Sequence, residues 1–306
     1  MSFTKSNLGL VAATGAATLW AISGVFAKIL MMSAVSPSQL VFYRSAIGSA
    51  LLVVLLLLKN KTLFKVSRRD LPFLIALGAL GLALTQFFYY AAIQSMSVGL
   101  AILLEYLAPL WILLCERLWL KKPLTWAKVL AVLLACSGCL LVSATWGNSS
   151  NINSKGLSFG IASGICFAAY GLMSQKALRS YSEITVLFYS LLFCALFWGV
   201  LTPDLDACWR SLDYFQLGLI LWVTVLGTLV PFFLFIFALR RLEASQVGTI
   251  STLEPVIAAV IAWINLGEGL TSLQMIGGVF VLTAITILQV RNVKRPHRTE
   301  TTSQPV

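Results

Sequence analysis

The chain has 306 residues, of which 59% are hydrophobic and only 11% charged, with a mean hydropathy of +0.90. A soluble domain carries nearer a quarter charged residues, so water is excluded as the main solvent. The net charge of +11 raises nucleic acid as a partner, but the basic residues fall between long apolar runs, which assigns them to a membrane surface and not to a nucleic-acid face.

A helix needs about 18 apolar residues to cross a bilayer, because every backbone polar group must be satisfied within the span. In chain order such runs lie near 8–32, 38–58, 71–93, 98–119, 125–145, 156–178, 184–201, 214–239, 245–266 and 270–290. The first is longer than a signal-peptide core and has no convincing cleavage site, so it reads as a retained span. The tail 291–306 is basic, then rich in Thr, Ser and Pro, and reads as disordered. The fold class expected is an all-α membrane protein of ten transmembrane helices.

Basic residues orient these spans, since Lys and Arg accumulate on the cytoplasmic side. Alternate segments hold 18 of the 22 basic residues, among them Lys59 to Arg69, Arg117 to Lys128, Arg240 with Arg241, and Arg291 to Arg298. The opposite set holds only Lys155 and Arg210, while Lys28 and Arg44 fall within spans. Both termini are therefore expected in the cytoplasm, with the chain multi-pass in the cytoplasmic (inner) membrane.

The two halves match each other at a near-constant offset. At 146 residues Tyr43 meets Tyr189, Gly81 meets Gly227, Phe87 meets Phe233, Ala92 meets Ala238 and Pro109 meets Pro255. At 147, Gly9 meets Gly156, Gly24 meets Gly171 and Trp20 meets Phe167. This predicts a five-helix repeat over 8–145, an extracytoplasmic linker over 146–155 and a second five-helix repeat over 156–290. Five is odd, so the second repeat enters the membrane from the opposite side. Inverted repeats characterise many secondary transporters, whose halves rock about a site near the bilayer midplane.

Several local patterns resemble one family. Ala17-Thr18-Leu19-Trp20-Ala21-Ile22-Ser23-Gly24-Val25-Phe26-Ala27-Lys28 is similar to the opening motif of the EamA branch of the drug/metabolite transporter superfamily, and Phe42-Tyr43-Arg44 resembles its second-helix arginine motif. Glu105-Tyr106-Leu107-Ala108-Pro109 resembles its fourth-helix motif, and Leu253-Glu254-Pro255-Val256 with Leu266-Gly267-Glu268 its ninth. The resemblance covers about residues 8–290. It implies ten helices, a central cavity between the halves, and export or uptake of amino acids, related metabolites or organic cations. Two departures break the symmetry of the halves: Ser190 stands at the position matching Arg44, and Lys122 at that matching Glu268.

A charge inside a bilayer costs several kcal/mol unless it is paired or faces water, so intramembrane ionisable residues are candidate site residues. Arg44, roughly 9 Å below the outer end of its helix at 1.5 Å per residue, either holds a substrate carboxylate, closes a salt bridge with Glu105, or bonds backbone carbonyls between helices. Glu105 and Glu254 must face protein and suit proton coupling or an amine ligand. Pro109 and Pro255 each remove a helical hydrogen bond, which suits kinks or gates at a midplane site. Trp20, Gln86, Tyr89, Tyr90, Tyr106, Tyr170 and Gln175 complete the expected substrate-binding lining, since aromatic faces attract amphipathic and cationic ligands. Glu116 and Arg117 read as snorkelling groups, Glu268 as interfacial, and the small residues Gly160, Gly164 and Ala168, like Ala13, Ala17 and Ala21, as close-packing stripes.

Other classes fit poorly. No GxxxxGK[ST] loop is present, so energy comes from a gradient, with protons the candidate. An enzyme is not expected: the single His, His297, lies in the tail, and Asp70, Asp204, Asp206 and Asp213 lie in or beside loops. The CxxC of Cys136 and Cys139 sits in an apolar run, so neither a disulfide nor a metal nor another cofactor is implied. The reading is a secondary transporter, an exporter of amino acids or similar metabolites, with a small-molecule substrate and the lipid bilayer as its partners. Organic cations as cargo, a non-transporting sensor or scaffold, and monomer against homodimer remain open.

Overall fold

The computed structural model describes residues 5–32, 35–59, 61–96, 98–121, 123–143, 154–266 and 271–293, and these contain helices and connecting turns but no strand. Residues 146–153 of the linker, the end of the tail, Lys122, Glu268 and the side chain of Lys28 fall outside what it describes, while Ser154 and Lys155, expected in the linker, begin a helix. The helices are α1 (Lys5–Met32), α2 (Pro37–Lys59), α3 (Leu71–Ser95), α4 (Val98–Glu105), α5 (Ala108–Leu118), α6 (Trp126–Ser143), α7 (Ser154–Ala177), α8 (Glu183–Leu201), α9 (Leu205–Ser211), α10 (Tyr214–Leu239), α11 (Ala244–Ser251), α12 (Leu253–Leu266) and α13 (Ser272–Val293). Six of them (α1, α2, α3, α7, α8 and α10) are long and apolar enough to cross a membrane. Large apolar side chains cover the outside, with Leu58 82%, Val200 84% and Trp126 87% exposed, a surface that only lipid satisfies.

Two runs expected as single spans are each divided in two. The run 98–119 breaks at Tyr106 and Leu107 between α4 and α5, and the run 245–266 breaks at Thr252 between α11 and α12. The cause is local: Pro109 has no N–H to return to the carbonyl of Glu105, and Pro255 none for Ser251. Two further spans contain π segments, Leu77–Ala83 within α3 and Val225–Leu229 within α10. Breaks and π segments thus recur at matched positions of the two halves, so the repeat extends to the irregularities of the backbone.

Packing runs between the halves. The α1 helix lies on α10, α3 on α7, α2 on α8 and α6 on α13, each pairing an element of one half with an element of the other. Small residues set the spacing: a Cβ on Gly138 would stand 2.6 Å from the carbonyl of Gly277, and one on Gly277 2.6 Å from that of Gly138, so α6 and α13 cross backbone to backbone. The Gly160–Gly164 stripe of α7 is a packing surface, since a Cβ on Gly164 would meet the Leu104 carbonyl at 2.8 Å. That contact seats the end of α4, which carries Glu105, against α7. Ala13 and Ala17 are fully buried along α1.

Helix starts are capped by side chains. Asp213 and Gln216 form a reciprocal box at the start of α10, and Ser182 accepts from the Thr185 amide at α8. Glu243 and Gln246 form the corresponding box at α11. At the same end of α11, Lys128 lies 3.8 Å from Glu116 and pairs with Glu243. Glu116 is 2% exposed, so it is a buried ion-pair member and not a snorkelling group, because the end of α5 is covered by α6 and α11. Arg117 beside it is exposed. Between α7 and α8, Tyr181 donates to Asp70 at 2.5 Å, and partial burial together with this bond raises its phenol above the ordinary range.

Candidate functional site

A cavity of about 60 Å³, room for a few waters, lies among α1, α2, α3, α4, α7, α10 and α12. It brings together eight of the residues the sequence singled out: Trp20, Arg44, Gln86, Tyr89, Tyr90, Glu105, Tyr106 and Glu254.

Arg44 is 2% exposed and its surroundings follow from the sequence of α10. Pro231 has no N–H to return to the carbonyl of Gly227, four residues earlier, and that carbonyl accepts from Arg44 Nη2 at 2.9 Å. Arg44 Nε donates to Thr228 Oγ1 at 2.7 Å, and Thr228 in turn donates to the Val223 carbonyl five residues back, at 3.0 Å. The π segment is therefore the docking plate for the guanidinium. The Tyr90 ring lies 5.2 Å from Arg44 Cζ, a cation–π contact. Arg44 Nη1 has no hydrogen-bond partner among the described residues, and no ion pair joins Arg44 to Glu105 there. Of the three roles open to Arg44, the salt bridge is thus replaced by bonds to the neighbouring helix.

The first half shows why the site is asymmetric. Gly81, the match of Gly227, has its carbonyl taken by the Thr85 hydroxyl at 2.7 Å, so no cation is needed there. Ser190, the match of Arg44, bonds its own helix at Val186 and lies against Gly78, where an added Cβ would meet its carbonyl at 2.8 Å. One crossing accommodates an arginine, and its counterpart closes on a serine.

The two breaks meet at the opposite wall. Tyr106, in the break after α4, donates its hydroxyl to Glu254 in the first turn of α12. Glu254 is 6% exposed and Tyr106 3%. The positive end of a helix dipole favours a carboxylate at Glu254, whereas Glu105, at the last residue of α4, has no such support. Trp20 completes the floor, edge-on to Phe167 at 6.0 Å and to Phe232 at 5.1 Å. Gln86 is 5% exposed, and neither its Nε2 nor its Oε1 finds a partner among the described residues.

Four expected residues fall elsewhere. Gln175 donates to the carbonyl of Leu242 at 3.0 Å and serves the end of α10, away from the cavity. Tyr170 is fully buried behind the wall, stacked 6.2 Å from Phe235. Pro109 and Pro255 shape the breaks but do not line the space. Ser23, Gly24, Thr85, Phe167, Gly227 and Phe232 also line it and were not anticipated. Gly24 and Gly227 carried a signal in the repeat, and Phe167 in its match to Trp20, but Ser23 and Thr85 are common residues in apolar helices.

Fold and site define a multi-pass membrane protein made of two related halves around a small cavity lined by charged, amide and aromatic side chains. The sequence profile of the EamA-like transporter family matches residues 7–144 and again residues 154–290, and the chain belongs to that family. It is 31% identical to an uncharacterized transporter of Archaeoglobus fulgidus over 220 residues, 68% of this chain and 74% of the other. It is 29% identical to the threonine/homoserine exporter RhtA of Escherichia coli strain K12 over 253 residues, 81% of each chain. The corresponding RhtA of Salmonella typhimurium strain LT2 is 29% identical over 242 residues, 79% of this chain and 78% of the other. A protein solved by crystallography shares the fold with a TM-score of 0.74 at 17% identity, over 94% of this chain and 99% of that one.

Proposed function

We propose that this protein is a secondary transporter that exports small organic metabolites, amino acids or close relatives, across the cytoplasmic membrane by alternating access. In this reading the backbone crosses the membrane ten times, with α4–α5 and α11–α12 each forming one interrupted span. The halves are inverted and both termini are cytoplasmic. The observation that carries the reading is the cavity at the junction of two broken helices from sequence-matched positions. Broken helices at the interface of inverted repeats are where carriers place substrate sites, because freed backbone groups and helix ends can address a charged solute. Likeness to exporters of threonine and homoserine supports an amino-acid cargo and the outward direction. A cavity with room for only a few waters must widen to load any metabolite, as a rocking carrier requires.

Glu105 and Glu254 are the coupling candidates in this mechanism. Protonation of one as the cavity changes sides would tie solute movement to the proton gradient. The test is transport in proteoliposomes with an imposed pH gradient, comparing wild type with Glu105→Gln and Glu254→Gln. At least one variant is expected to exchange solute yet lose stimulation by the gradient. Full gradient-driven transport by both variants sinks the coupling proposal.

A further inference from the structure

We propose that Arg44 and Gln86 together form a subsite for a carboxylate, so that the transported compound carries a carboxylate at that end and its cationic group toward Glu105. The inference rests on the reading of the cavity as the transport site and deepens it.

Three buried polar atoms without partners among the described residues belong to two residues of one cavity: Nη1 of Arg44, and Nε2 and Oε1 of Gln86. Leaving such an atom unpaired costs about 1–3 kcal/mol, so their concentration in one place calls for a ligand or for ordered water. Their arrangement is fixed from outside. The bonds to Thr228 and Gly227 hold two guanidinium nitrogens and leave the third as the free edge of a rigid fork. Tyr90 lies against the guanidinium and stands one turn beyond Gln86 on α3, so the amide is on the helical face that Arg44 packs against, and both line the same small cavity.

Chemistry selects the ligand. Arg44 Nη1 and Gln86 Nε2 are donors, and a carboxylate, with two acceptor oxygens, satisfies both at once. An ammonium alone has only donors: it can pair with Gln86 Oε1 but leaves Nη1 and Nε2 unsatisfied. Arg44 also has no carboxylate partner among the described residues, so an anionic group would supply the counter-charge that a buried guanidinium needs. At the other wall Glu254 accepts from Tyr106 on one oxygen, and the second carboxylate there, Glu105, is the one assigned to the ammonium.

The test uses the full chain in nanodiscs. Thermal-shift binding is measured for the twenty proteinogenic amino acids, then for the methyl ester and the decarboxylated amine of the tightest binder. Counterflow of the same amino acid in proteoliposomes is read in parallel. Wild type is expected to prefer the free acid over both analogues. Gln86→Leu is expected to weaken the acid by about 10–100-fold, the loss of a hydrogen bond to a charged group, the ester less, since its carbonyl accepts only a neutral bond, and the amine, which offers Nε2 no acceptor, least of the three. Gln86→Glu, close to isosteric, is expected to invert the preference toward the amine, and Arg44→Lys to weaken the acid. Equal binding of acid, ester and amine by wild type, an equal loss of all three in Gln86→Leu, or no binding of any free acid overturns the subsite. Selective binding of the acid without counterflow retains the subsite and defeats the transport reading, so the two failures are distinguishable.

Discussion

The crossing of α1 over α10 is tight enough to give a quantitative expectation. A Cβ added at Gly227 would lie 2.1 Å from Ser23 Oγ and 2.9 Å from Ser23 Cβ. Rotating the hydroxyl away relieves the first contact but not the second, so Gly227→Ala has to separate the two helices. Forced overpacking of this kind costs about 1–3 kcal/mol, and for a chain of this size each kcal/mol moves the melting midpoint by about 1–2 °C. The shift also moves the Gly227 carbonyl that accepts from Arg44 Nη2. The assay is thermal unfolding of the purified protein in detergent for Gly227→Ala alone and combined with Ser23→Ala or Ser23→Gly. Ser23→Ala should rescue in part, and Ser23→Gly, which removes both contacts, more fully, with a coupling energy of about 1 kcal/mol or more across the cycle. Equal destabilisation by Gly227→Ala in all three backgrounds would refute the contact as its cause.

Other consequences concern the breaks, the ion pair and a residue outside the cavity. Pro255→Ala and Pro109→Ala each return an N–H to a helical carbonyl and should straighten the backbone beside the cavity; both variants should stay folded in detergent while transport falls at least tenfold, and retained transport would detach the breaks from function. Lys128→Met removes the ammonium between Glu116 and Glu243 and should lower stability by about 1 kcal/mol, since Glu243 is half-exposed, seen as a lower melting midpoint that Lys128→Arg restores in part. Gln175→Met should lower stability by about 1 kcal/mol through its lost bond to the Leu242 carbonyl with apparent substrate affinity unchanged; a shift in affinity would place Gln175 in the transport path after all.

Much of this architecture was legible because the physics of a bilayer is severe. Apolar runs marked where helices lie, and the offset between the halves marked which positions correspond. Arg44, Glu105 and Glu254 were legible as cavity-lining residues because a charge inside an apolar helix needs a partner or water, and Trp20 because it stands in a family-like motif as an aromatic suited to such a lining. The breaks were only half legible. Pro109 and Pro255 announced irregular backbone, but a hydropathy pattern does not register a helix that stops and restarts within one span. The role of Pro231 was invisible to pattern alone, because its effect lies four residues away at Gly227 and becomes meaningful only when α2 brings Arg44 to that carbonyl. Gln175 misled for the converse reason: an amide in an apolar helix suggests a cavity, yet a nearby helix end offered it carbonyls. Glu116 reads as a snorkelling group because a position near a helix end does not tell that α6 and α11 cover it.

The central claim is that this cavity carries solute across the membrane in a cycle that faces each side in turn. Counterflow in proteoliposomes reads that cycle directly: vesicles preloaded with each unlabelled proteinogenic amino acid are tested for uptake of the same labelled amino acid. At least one amino acid is predicted to show uptake accelerated several-fold by its unlabelled form inside, and Arg44→Lys should diminish that acceleration. Uptake that never depends on what the vesicle contains, across the whole series, would contradict the account.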